Sequence, residues 1–125
     1  MKRIILTLAV LGLAGSAAWA AEPAKVMDSS LGKIWTDQKG MTLYTFDKDE
    51  ANKSNCYDKC AEAWPPFLVA EGAMAEGEWT IVDRTDGKKM WAYDGHPLYL
   101  WVKDTKPGDV TGDMVGNVWH AAKAK

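Results

Sequence analysis

Leu43-Tyr44-Thr45-Phe46-Asp47-Lys48-Asp49 returns 55 positions later as Leu98-Tyr99-Leu100-Trp101-Val102-Lys103-Asp104, and both stretches reduce to L-Y-x-(aromatic)-x-x-D. One phrase recurring at that separation points to a duplicated unit. Strand alternation puts Tyr44 and Phe46 on one face with Leu43 and Thr45 on the other. In the second copy Leu98, Leu100 and Val102 oppose Tyr99 and Trp101 with almost no polar interruption, which predicts the more buried strand. Asp49 and Asp104 each close a phrase, where a short carboxylate accepts backbone N–H groups of the following turn.

Outward from these phrases the chain reads as short β segments between turn signals. Residues 33–36 and 41–47 form a candidate hairpin about the turn 37–40, where Gly40 tolerates positive φ. Residues 89–93 and 97–103 form the second, about Asp94-Gly95, one of the strongest short hairpin signals. Further strands are expected over 79–84 and 117–122, the latter carrying Trp119. Helix is expected only over 56–63, with Ser54 or Asn55 capping its start and Trp64-Pro65-Pro66 ending it. Residues 70–78, rich in Ala, Gly and Glu, read as a loop joining the halves. Beyond the phrases the spacing still matches loosely: Asp49 is followed by Cys56, Cys60 and Trp64, and Asp104 by Gly112, Gly116 and Trp119. Duplication followed by loss of the second pair of cysteines accounts for this.

The expected architecture is mainly β: one small domain over residues 31–123, built of two pseudo-symmetric β-hairpin repeats with one short helix. Repeat one covers about 32–69 and repeat two about 79–122. Both are expected to share a single interior in which Tyr44, Phe46, Tyr99 and Trp101 are the central packing residues.

Residues 1–20 have the order of a cleavable secretory signal: Lys2 and Arg3, an apolar run to Ala14, then Ala18-Trp19-Ala20. The mature chain is expected to begin near Ala21, with 21–30 a flexible lead-in. Losing two positive charges takes the formal charge from −2 to about −4. Acids and bases are interspersed, which argues against nucleic acid or an anionic bilayer as partner. The apolar run is too short to span a membrane, no later one is continuous, and the first cysteine is Cys56, far from the place of a lipidation cysteine. The expected location is the periplasm, as a soluble protein with no membrane span.

Cys56 and Cys60 are the only cysteines, and in an oxidising compartment they read first as a disulfide. Residues four apart on a regular helix hold their Cβ atoms about 5 to 6 Å apart, farther than a disulfide prefers, so a bridge calls for an irregular turn. A redox-active pair is the alternative, without the βαβ context that usually accompanies one. His96 and His120, with five methionines past residue 20, supply the ingredients of a Cu(I) site but no clustered spacing. His120 is the better ligand candidate and His96 the weaker. Asp47-x-Asp49 opens like a calcium loop, but Ala51 and Asn52 break the pattern at once. Six tryptophans follow residue 20: most are expected in the core, while an exposed ring would make a platform for a glycan or peptide. Trp64, pinned by Pro65-Pro66, is the one expected to protrude.

Tyr44-Thr45-Phe46 with Asp49, the pair Cys56 and Cys60, Trp64-Pro65-Pro66, Pro97-Leu98-Tyr99 and Asp104 together resemble a bacterial secreted-repeat family, predicted lipoproteins with a Y-x-(F/W/Y)-x-x-D motif. The resemblance covers nearly all of 32–122 and implies an envelope-exported domain of two repeats with no established activity. The sequence departs from it in lacking the lipidation cysteine, so the implied tether does not carry over.

No G-x-S-x-G or H-E-x-x-H occurs and histidine is scarce, which argues against a hydrolase. The expectation is an exported, non-enzymatic binding or envelope-associated module without a cofactor, its partner an unidentified envelope ligand or protein. A periplasmic copper or redox protein is the alternative.

Overall fold

The computed structural model describes residues 22–124; the signal expected at 1–20 lies outside them. Seven strands and one short helix follow in order: β1 (Lys25–Ser29), β2 (Gly32–Thr36), β3 (Tyr44–Phe46), α1 (Lys59–Ala63), β4 (Trp79–Asp83), β5 (Lys89–Tyr93), β6 (His96–Pro97) and β7 (Trp119–Ala121). The protein is mainly β, in two repeat-like halves. β1 pairs with β2, β3 with β7, and β4–β5–β6 form a three-stranded sheet, all antiparallel. Among the described residues no helix is long and apolar enough to cross a membrane.

The first correction concerns 21–30. This segment has no apolar alternation, yet residues 25–29 are a strand in full register with β2, from Lys25 opposite Thr36 to Ser29 opposite Gly32. Backbone pairing carries it, since side-chain burial is slight and Val26 is half exposed. Ser29 closes the turn locally: its Oγ accepts from Leu31 N–H at 3.0 Å and donates to the Gly32 carbonyl at 2.8 Å. Hydropathy does not register a hairpin held by such local bonds.

The two expected turns form. Asp37 Oδ1 accepts from the N–H groups of Lys39 and Met41, both at 2.9 Å, and Thr36 bridges Thr42. Asp94 and Gly95 both have positive φ, 52° and 82°, as the tight turn between β5 and β6 requires. Past each turn the strands leave their hairpins. Leu43 N–H still donates to Trp35 O and Leu98 N–H to Trp91 O, each at 3.0 Å. The chain then crosses: Ala122 N–H donates to Leu43 O at 2.8 Å, and Phe67 N–H to Leu98 O at 2.9 Å. Further along, Asp47 N–H donates to Val118 O and Val102 N–H to Ala63 O. Each of these bonds in one half thus has its counterpart in the other, and each half's central strand is completed by the tail of its twin. At the centre Tyr44 and Tyr99 exchange both backbone bonds, at 2.8 and 2.9 Å. The expected strand over 97–103 is consequently short, two residues of ladder and then isolated bridges, because its partner is a proline-bearing segment of the first half.

Nor is the second strand the more buried. Leu43, Tyr44, Leu98 and Tyr99 are all fully buried, while Val102 is half exposed. The interior is also not single. One cluster holds Ile34, Tyr44, Trp64, Met90, Tyr99 and Trp119; the other holds Trp35, Leu43, Trp79, Trp91 and Leu98 on the opposite strand faces. Both phrases therefore feed two cores, aromatics to one side and leucines to the other, as period-two alternation dictates.

α1 is shorter than expected and is capped differently. Asp58, at φ 56°, precedes it without a side-chain cap. Ser54 and Asn55 bond elsewhere: Ser54 Oγ meets Tyr99 and Arg84, and Asn55 Nδ2 donates to Lys48 O at 2.8 Å. Cys56, before the helix, is bridged to Cys60 within it, the Cα atoms 5.3 Å apart. The disulfide thus uses an irregular turn in place of a helical i,i+4 pair.

Candidate functional site

The repeated motif meets itself at the centre of the fold. The Tyr44 hydroxyl donates to Asp104 Oδ2 at 2.5 Å, and the Tyr99 hydroxyl to Asp49 Oδ2 at 2.6 Å. Each tyrosine is bound by the carboxylate of the other repeat. The second oxygen of each carboxylate accepts from the loop that follows it: Asp49 Oδ1 from Asn55 N–H at 2.7 Å, and Asp104 Oδ1 from Thr111 N–H at 3.0 Å and its hydroxyl at 2.6 Å. Burial, reinforced by the neighbouring carboxylates, pushes both phenols well above their ordinary range. Burial likewise raises Asp49, against the opposing bonds from Tyr99 and Asn55.

Four rings stack beside this crossing. Trp101 lies on Trp64 at 3.9 Å between centroids, Trp64 on Trp119 at 3.8 Å, and Trp119 on Phe46 at 4.2 Å, alternating between repeats. Tyr44 meets Trp64 edge-on and Tyr99 meets Trp119 likewise. Trp64 is therefore not the protruding ring that its prolines suggested: it is 5% exposed, covered on both faces. Tyr44 and Tyr99 are fully buried, and Phe46 and Trp101 close the two ends of the stack half-buried. Gly112 stands where the first repeat has Cys56. A Cβ there would lie 2.8 Å from Trp64 and 2.9 Å from Tyr44, so this loop has no room for a side chain.

Sequence reasoning missed Arg84. The guanidinium is buried, donates to Ser54 Oγ and Cys56 O, both at 3.0 Å, forks onto Asp86 and lies 4.3 Å over the Tyr57 ring. Because Arg84 only donates and ionised Asp49 only accepts, the chain Arg84, Ser54, Tyr99, Asp49 runs in one direction, with Ser54 donating to Tyr99 at 2.6 Å. The bond from Arg84 holds Asp86 below the usual carboxylate range. This network orders the loop that carries the disulfide. Arg84 follows an ordinary alternating strand, so no local pattern marks it.

His120 Nε2 lies 2.8 Å from Asp47 Oδ2, and His96 is exposed on β6. Among the described residues no three His, Cys, Asp or Glu side chains gather about one point.

A groove of about 880 Å³ opens on the other core. Trp35, Trp79, Trp91 and Tyr93 form its floor, and Gly72, Ala73 and Met74 of the joining loop make a wall. Glu22, Glu71, Glu76 and Glu78 edge it, all exposed. The floor is rigid: Trp35 packs edge-on against Trp79 at 4.9 Å, and Tyr93 lies about 5 Å from both. The Trp35 Nε1–H is the one buried side-chain polar atom without a hydrogen-bond partner among the described residues. Leaving such a donor unpaired costs about 1–3 kcal/mol, and features of this kind are uncommon in ordinary core. The sequence did hold a signal for the groove: residues 70–78 carry three glutamates and no base between two tryptophan-bearing stretches.

A family profile described as a secreted repeat of unknown function matches residues 25–67 and again 80–123. The chain belongs to this family of secreted repeats, and the two matches coincide with the two halves of the fold. No curated protein and no solved structure matches the chain.

Proposed function

We propose that this secreted-repeat protein is a non-enzymatic binding module of the periplasm, and that its ligand lies in the groove floored by Trp35, Trp79, Trp91 and Tyr93. One observation carries the reading: a cavity of about 880 Å³, apolar beneath and polar at its edge, over a floor of mutually packed aromatic rings. Ligand sites have this composition, mainly apolar and aromatic with a few placed polar groups. The motif itself serves the scaffold, since its tyrosines are wholly buried and its rings cover one another. The family description supports export, and the sequence of residues 1–20 supports a periplasmic destination. The copper or redox alternative rests on residue types alone, and among the described residues no cavity of this kind accompanies it.

The tryptophans fall into two sets, which makes a test possible. In isotope-labelled protein the indole N–H signals of Trp35, Trp79 and Trp91 are expected to shift on titration with a bound glycan, peptide or haem, while those of Trp64, Trp101 and Trp119 stay in place. A screen leaving all six unmoved at millimolar ligand removes the proposal. Shifts confined to the stacked set would move the site away from the groove.

A further inference from the structure

We infer that the groove takes a small organic cation, a protonated or quaternary amine on an aromatic or short apolar body; this rests on the groove reading above. Charge separates this site from an ordinary apolar cleft. Its edge carries Glu22, Glu71, Glu76 and Glu78, and among the described residues no Lys, Arg or His lines it. Beyond residue 20 the chain has a formal excess of about four acids. The groove alone holds that many, so the rest of the surface is close to neutral and the acidity is concentrated here. Lys25, which donates Nζ to the lining residue Gln38 at its carbonyl oxygen, 3.2 Å away, is not itself part of the lining.

The floor adds to the same preference. The faces of Trp and Tyr rings carry negative charge density and attract a cation placed over them, most strongly for Trp. Three tryptophans and a tyrosine beneath four carboxylates therefore favour a positive ligand through two effects with different ranges. The carboxylates act over several ångströms and weaken with salt. The rings act in contact and persist, through Tyr93, which is half-buried, and through the narrow ring area that Trp35, Trp79 and Trp91 leave open at 4–5% exposure. Tyr93 donates to Glu78 Oε1 at 3.1 Å, tying floor to edge, whereas Glu71 and Glu76 belong to the joining loop alone. An anion or a phosphate ester meets both effects with the wrong sign.

Three probes sharing one body separate the possibilities: 2-phenylethylamine, 2-phenylethanol and phenylacetate, titrated into the protein from residue 21 onward and followed at the Trp35, Trp79 and Trp91 indole signals. The amine is expected to bind roughly tenfold more tightly than the alcohol at low salt, with the acid weakest, and the gap is expected to narrow as salt rises. Glu71→Gln with Glu76→Gln, both exposed loop positions, is expected to remove most of the preference while alcohol binding is unchanged. Equal binding of amine and alcohol overturns the charge selection but leaves the groove a binding site. Silence of all three indoles with every probe, at concentrations where small aromatics occupy open clefts, overturns the site itself. Charge preference that survives undiminished in the double variant refutes the part given to the loop carboxylates.

Discussion

Replacing Tyr44 with Phe removes one hydroxyl and leaves the ring in place, which isolates the crossing bond between the repeats. The hydroxyl donates to Asp104 Oδ2 and accepts from Gly112 N–H at 3.2 Å, and all of these groups are buried. A hydrogen bond to a carboxylate is worth about 1.5–3 kcal/mol, and the stranded Gly112 donor adds about 1. Thr111 still holds the other Asp104 oxygen, and loss of a buried hydroxyl returns part of the cost. A net destabilisation of about 3 kcal/mol is expected. In a domain of this size that corresponds to about 14 °C in the melting midpoint. Tyr99→Phe is expected to cost less, about 1.5–2 kcal/mol, because Asp49 is half-buried and open to water and Ser54 keeps its bond from Arg84. Urea unfolding followed by near-ultraviolet circular dichroism measures both. A Tyr44→Phe change below about 0.5 kcal/mol, or a larger effect at Tyr99, would refute the crossing as a source of stability.

Three further outcomes follow from the same geometry. Gly112→Ala forces a methyl against Trp64 and Tyr44, and since Trp64 is clamped on both faces the cost is expected to be about 1–3 kcal/mol in calorimetry. Cys56→Ala with Cys60→Ala opens a very small ring and is expected to lower stability by only about 2 kcal/mol, the fold remaining intact by circular dichroism. On alkaline titration Tyr44 and Tyr99, raised by burial, favour folding in full below their ordinary value of 10, and this contribution is lost as pH climbs through their folded values. Their phenolate absorbance should therefore appear together with unfolding, while Tyr57, lowered by its bond from Thr85 despite partial burial, ionises earlier. Gradual ionisation of every tyrosine in an intact fold would contradict the burial assigned to the motif.

The duplicated phrase made the two halves, their turns and the facing of their aromatics legible from residues alone. Asp94-Gly95 specifies its turn locally, and Tyr44 and Phe46 follow from alternation. What escaped was non-local. Nothing in Lys25 to Ser29 states that a partner strand starts three residues on, because backbone pairing has no side-chain signature there. Trp64 looked exposed because two prolines follow it, yet its surroundings are set by Trp101 and Trp119, far off in sequence. The groove was hidden for the same reason: Trp35 belongs to the first repeat and Trp79, Trp91 and Tyr93 to the second.

Since the tail of each half completes the central strand of the other, neither half is a folding unit by itself. A lone ancestral copy reaches the same bonds only by trading tails with a second molecule, so the present chain has the form of a fused homodimer. Fusion through residues 70–78 replaces encounter between molecules with a tether, holding the halves at an effective concentration in about the millimolar range. Dilution into the extracytoplasmic space, ruinous for a loosely paired dimer, then leaves the assembly whole, and the two copies are free to diverge: one kept its cysteines, and the other took glycine and a tighter loop.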